Sequence, residues 1–104
     1  MNELKDKIVA SISAIDQTTD YFYQNNPNKG FAGLDATIVI LSQAINEIYV
    51  YNQQQKNQQI NDKEILGVLS EAMKAMEMKD MILLADILLY DLKVLLKEAQ
   101  KTIQ

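Results

Sequence analysis

The 104-residue chain contains no histidine, no cysteine and no tryptophan, and all ten of its basic residues are lysine. Each absence removes chemistry. Without histidine nothing titrates near neutrality unless a carboxylate or a lysine is strongly perturbed. Without cysteine there is neither a disulfide nor thiolate chemistry, and the redox compartment cannot be read from thiols. Without arginine there is no planar fork for two-point capture of phosphate or carboxylate. One proline and three glycines leave little punctuation for an all-β chain with its many turns. A net charge of −4 with scattered lysines argues against nucleic acid, which calls for a basic patch. The start, "MNELKDKIVASISAIDQ", carries charges every few residues where a secretory signal needs an unbroken apolar run. Asp86, Asp91 and Lys93 interrupt the most apolar stretch, so no membrane insertion and a cytoplasmic location are expected. From the Ile/Asn/Lys-rich, arginine-free usage an AT-rich bacterial genome is expected.

What remains is helix-forming. The composition is 48% hydrophobic and 23% charged, globular rather than disordered, and the length suits one domain over residues 1–104. Leu4, Ile8, Ile12, Ile15, Thr19 and Phe22 recur at steps of three and four, the stripe of a helix over about 3–24. Asn2 is placed to cap its start. Asn26 before Pro27 reads as a cap with proline in the first turn of a second helix, over about 29–54. Its seam is Phe31, Leu34, Ile38, Leu41, Ile45 and Ile48, the spacing of two helices packed at a shallow angle. "NQQQKNQQIND" (52–62) is a polar connection, long for a bundle loop, so part of it is expected to extend the flanking helices. Asn61 with Glu64 resembles a capping box for a third helix over 62–77, presenting Ile65, Leu69, Met73 and Met76. Asp80 caps a fourth over 81–102, and the tight joint before it makes these two helices antiparallel neighbours. The pattern predicts an all-α, up-down-up-down four-helix bundle.

The fourth helix, "KDMILLADILLYDLKVLL" (79–96), is apolar on two sides. On a wheel of about 100° per residue, Met81, Leu84, Ala85, Leu88, Leu92, Leu95 and Leu96, flanked by Ile82 and Leu89, form a core arc. Leu83, Ile87, Tyr90 and Val94 form a second strip behind it. Val39 and Val50 repeat the oddity more weakly on the second helix. Single exposed apolar residues are ordinary, but a contiguous strip points to a partner. These six residues are the candidate interface, toward a protein partner or a second copy of the chain.

Other chemistry finds little support. Glu47 and Asp86 sit among apolar neighbours, but a di-iron bundle needs histidines as well as glutamates. The acids are dispersed rather than clustered for Mg²⁺ or Ca²⁺, and Asp86 is within reach of a hydrogen bond from Tyr90 one turn on. "KGFAG" (29–33) has the Gly-x-x-Gly spacing of a nucleic-acid-gripping loop, without the sheet or basic surface that goes with one. Tyr21, Tyr23, Tyr49, Tyr51 and Tyr90 read as core-edge residues with hydroxyls in water. Met73, Met76, Met78 and Met81 read as core filling near the last joint, with an adaptable binding surface as the rival role. The serines have no histidine to activate them. Neither catalytic residues nor cofactors are expected.

"SEAMKAMEMKDMILLADILLYDLKVLLKEA" (70–99) resembles the last helical hairpin of small uncharacterised helical proteins of Gram-positive bacteria, where "EAL.A.E..D...LADILEYEL.PLL" recurs. Glu71, Ala72, Ala75, Glu77, Asp80, Leu84, Ala85, Asp86, Leu88, Tyr90, Leu92, Leu95 and Leu96 fit it. Leu89 stands where that pattern has an acid, and Val94 where it has proline. The resemblance implies a helical bundle and brings no activity. A looser similarity to flagellin export chaperones, in size and fold class alone, implies a protein as partner. The expected function is thus that of a non-enzymatic interaction protein. The alternatives are a small-molecule or lipid carrier with a cavity between helices, and an export-type chaperone.

Overall fold

Two joints of the same design set the topology of the computed structural model, which describes residues 3–57 and 59–103. At the end of α1 (Glu3–Tyr23), Asn25 enters the left-handed region at φ 59°. Its neighbour Asn26 at once caps α2 (Pro27–Gln54), its side chain accepting the Lys29 N–H at 3.4 Å. After α3 (Asp62–Glu77), Lys79 does the same at φ 57°, and Asp80 accepts the Leu83 N–H at 3.1 Å. In both joints the residue after the left-handed one donates its N–H five residues back, Asn26 to Tyr21 and Asp80 to Ala75. That closes a Schellman cap, and the next helix begins without a spacer. Asn61 opens α3 as its spacing predicts, accepting the Glu64 N–H at 3.1 Å. The expected cap at Asn2 lies outside the described residues.

The last helix runs without a break through Met81–Asp86, Ile87–Leu92 and Lys93–Thr102, together called α4. α1 packs along α2 on one side and α4 on the other, while α3 lies against α4 and α2. Contacts run antiparallel: Thr18 meets Thr37 across α1 and α2, and Asp16 and Tyr23 meet Lys93 and Asp86 across α1 and α4. The result is the expected all-α four-helix bundle, 43 × 22 × 18 Å. Its long dimension is that of α2, whose 28 residues start at Pro27, two residues before the expected boundary. By length and composition alone α2 is long and apolar enough to cross a membrane, a candidate that the reading of the fourth helix as the most apolar stretch passed over. Here Leu34, Leu41 and Ile48 are buried in the bundle.

The α1–α2 seam is tightest at Gly30. Leu34, Leu41 and Ile48 of the expected seam are buried, and so are the small residues Gly30, Thr37 and Ala44, while Phe31, Ile38 and Ile45 are half-buried against the core. A Cβ at Gly30 would lie 2.6 Å from the Phe22 ring, itself held edge-on to Phe31 with centroids 5.1 Å apart. The hydroxyls of Thr18 and Thr37 share a hydrogen bond of 2.8 Å. Ser11 and Thr19 return theirs to carbonyls one turn back, so these small polar groups are buried without loss of pairing.

α4 contains the main departure from an α-helical wheel. Ile87–Leu92 is a π-helical stretch, and the Lys93 N–H bonds the carbonyl of Leu88, five residues back. The cause is legible in the spacing of the core leucines. Leu84, Leu88, Leu92 and Leu96 are all buried, at steps of four. Three α-helical turns take about 11 residues, so a straight α-helix would rotate one end of this row out of the core. One wide turn absorbs the extra residue and keeps all four leucines inward. It also carries Ile87 inward, to 8% exposure. The expectation that Ile87 belongs to an outer strip is therefore overturned: it is a core residue in the stretch that packs against α3. Ile82, expected to flank the core arc, is instead 52% exposed.

Candidate functional site

Three of the four α4 candidates remain on its outer side. Leu83, Tyr90 and Val94 are exposed, Tyr90 most at 64%. Val39 and Val50 are exposed too, on the back of α2. The structure does not bring the two groups together. α2 and α4 each pack on α1 and α3, which puts them at opposite corners of the bundle. The six candidates thus resolve into an α4 patch, a separate α2 pair, and the buried Ile87.

The edge of the α4 patch is pinned to α1. Tyr23 donates its hydroxyl to Asp86 at 2.5 Å, and Lys93 pairs with Asp16 at 2.6 Å, two turns further along. The expected partner of Asp86 was Tyr90 on its own helix; Tyr23 across the interhelical groove takes that place while Tyr90 projects outward. Partial withdrawal of Tyr23 from water raises the pKa of its phenol, and the hydrogen bond to Asp86 and that carboxylate's charge raise it further. The direction fixes a testable result. In the unfolded chain Tyr23 loses its proton near the ordinary value of 10, and in the folded chain it does so only at higher pH. Above that ordinary value the unfolded state binds fewer protons, so stability falls as pH rises. Tyr23→Phe is expected to flatten this alkaline loss, read as the urea midpoint against pH. Asp86→Asn is expected to bring Tyr23's ionisation, followed by absorbance near 295 nm, back toward the ordinary range. An alkaline profile unchanged in Tyr23→Phe would show that the bond does not persist in solution.

Two open clefts lie toward the end where α2 leaves the bundle. One, about 540 Å³, is lined by Leu4, Val50, Tyr51 and Ile103 with Glu3, Lys5 and Glu47 around it. The other, about 200 Å³, lies between the 59–65 segment and Leu95, Glu98, Ala99 and Thr102. Among the described residues, no group of three or more acids is arranged to hold a metal ion. Met76 and Met81 pack on the core as expected, whereas Met78 is 67% exposed at the α3–α4 joint.

A family described as "Domain of unknown function (DUF8042)" matches residues 1–102. This chain belongs to the DUF8042 family. Neither the curated proteins nor the solved structures contain a match. The matched residues take in every helix, so the α4 patch and the smaller cleft lie within the match, as does all of the larger cleft's lining but Ile103.

One determinant of the DUF8042 bundle escaped the sequence reading. Asn52, 9% exposed, donates its amide to the Ile60 carbonyl at 2.8 Å and accepts the Ile60 N–H at 2.9 Å. Gln59 adds bonds to the carbonyls of Asn52 and Gln55. The polar α2–α3 connection is thereby folded down, with Ile60 buried at 6% exposure beneath it. The available signal was Ile60 itself, the lone large apolar residue in "QQQKNQQIND".

Proposed function

We propose that this DUF8042 chain is a non-enzymatic helical-bundle interaction protein of the cytoplasm that docks a protein partner, or a second copy of itself, through the outer side of α4. One observation carries this reading: Leu83, Tyr90 and Val94 stay exposed on a helix whose core needs are already met by its four buried leucines. Exposed tyrosine flanked by aliphatic residues is the composition of an interface centre more than of an average surface. The buried side-chain polar atoms are all hydrogen-bonded among the described residues, so the interior offers no unpaired group as a reactive centre. A carrier role would call for an apolar cavity between helices, whereas the larger cleft is open and edged by Glu3, Lys5 and Glu47. We read the apolar character of α2 as serving the core through Leu34, Leu41 and Ile48 rather than a bilayer.

Val94→Asp tests this, with Val39→Asp on α2 as the comparison. Both positions are exposed, at 47% and 56%, so each variant is expected to keep its unfolding free energy, read from urea titration, within about 0.5 kcal/mol of the parent. The parent should self-associate or retain a partner from native lysate, and Val94→Asp alone should lose that contact. Loss in Val39→Asp with retention in Val94→Asp would move the site to α2 and overturn the assignment to α4.

A further inference from the structure

The charges along α4 are segregated. From Asp80 to Leu92 the helix carries Asp80, Asp86 and Asp91 and no lysine. From Lys93 to Thr102 it carries Lys93, Lys97 and Lys101 against Glu98. The helix dipole accounts for an acid at the start and a lysine in the last turn, but its influence fades within about one turn of either end. Asp86, Asp91 and Lys93 lie well inside. Asp86 is half-buried against α1 and Lys97 and Lys101 are exposed, so one sign borders the patch toward Leu83 and the other toward Val94.

Building on the interaction reading above, we infer that the partner of this face is a second copy of the chain, its α4 running antiparallel to the first across a two-fold axis between Tyr90 and Val94. In that register Tyr90 packs on Val94 of the second copy, Leu83 lies along the stem of its Lys101, and Asp86 falls level with its Glu98 and one residue from its Lys97, the charge it pairs with. The two-fold operation makes every contact twice. A parallel pairing would instead set acid against acid and lysine against lysine, so the charge pattern selects both orientation and register. The π turn has a part in this. By drawing Ile87 into the core, it leaves Tyr90 as the most exposed large side chain at the middle of the face, where the axis passes.

The pairing is tested by light scattering coupled to gel filtration across a dilution series, with circular dichroism as a check that each variant is folded. The parent chain, 11.8 kDa as a monomer, is expected to approach about 24 kDa at the concentrated end and to dissociate more readily as salt rises. Lys97→Glu alone and Asp86→Lys alone should each weaken the dimer by at least about tenfold. Mixing these two variants should restore association, because every facing pair is then again of opposite sign. The Asp86 change also removes the acceptor of the Tyr23 hydroxyl, so Lys97→Glu with Val94→Asp gives a second set that leaves that contact alone. Two results would overturn the pairing: a parent chain that stays monomeric throughout, or a dimer indifferent to Lys97→Glu and to Val94→Asp. A monomeric parent that still captures a different protein, and loses it in Val94→Asp, would end the self-pairing while leaving the interaction reading standing.

Discussion

Ile87→Asp is expected to unfold the bundle rather than to detach it from a partner. Ile87 is 8% exposed, belongs to the core cluster, and lies in the π-helical stretch facing α3. A carboxylate there cannot keep its hydration. It would either stay charged in an apolar site or take up a proton at raised pKa. Together with the lost burial of the isoleucine, the expected loss is at least about 4 kcal/mol, out of a total of about 5–15 kcal/mol for a domain. The helical circular dichroism signal should be largely lost at neutral pH and low denaturant. Because burial raises the folded-state pKa of the new acid, the variant's deficit should shrink as pH falls. Ile87→Val keeps the site apolar and is expected to cost about 1 kcal/mol. If Ile87→Asp were to melt with the parent chain, Ile87 would be a surface residue and the wide turn at Ile87–Leu92 would not exist in solution.

The second large effect is expected at Asn52. Its amide makes both hydrogen bonds of one backbone unit, accepting the Ile60 N–H and donating to the Ile60 carbonyl, in a buried place. Asn52→Leu would be apolar enough for the site but would leave that N–H and carbonyl unpaired, at about 1–3 kcal/mol each. The combined loss, about 2–6 kcal/mol, should appear in urea unfolding and as faster amide exchange at Ile60. Asn52→Asp separates the two bonds. It keeps the acceptor for the N–H but sets a carboxylate oxygen against the Ile60 carbonyl, where the amide now donates at 2.8 Å. Protonation would supply a donor again, so the folded state favours the neutral acid, its pKa is raised, and this variant's stability should recover as pH falls. Both variants matching the parent within about 0.5 kcal/mol would show that the clasp adds nothing to stability.

The α4 patch illustrates how far a helical wheel reaches. Leu83 and Val94, on either side of the wide turn, and Tyr90 within it were identifiable as outward-facing because they lie away from the core row. Ile87 was misplaced because the wheel assumes one angular step throughout, and the extra residue within Ile87–Leu92 changes it. The steps of four from Leu84 to Leu96 were visible and hold the correction. Pairing Val39 and Val50 with that strip failed for another reason. A wheel gives direction about one axis, and only the placement of α2 and α4 at opposite corners shows that their outer sides face apart. Of the expected α2 seam, Leu34, Leu41 and Ile48 are buried and Phe31, Ile38 and Ile45 pack half-buried against the core. What the pattern did not mark is Gly30, where a Cβ would meet the Phe22 ring, because hydrophobic spacing carries no signal for a small residue at a close approach.

By itself the sequence determined the helices and their joints. Asn26, Asn61 and Asp80 cap their helices through bonds that reach three residues along the chain, and the periodicity of Leu4, Ile8, Ile15 and Phe22 repeats within two turns. Such interactions form wherever the segment is helical, so residue type and spacing suffice to read them. Tertiary structure decided the contacts that give the surface its form: the hydroxyl of Tyr23 on Asp86, 63 residues away, and the α3 contact that makes Ile87 core. A tyrosine near one joint has no local preference for a carboxylate beyond the next, and a leucine row at steps of four only becomes a wide turn when a core demands all of it. The energy of these contacts comes from burial, which is a property of the packed helices together and of no single one of them.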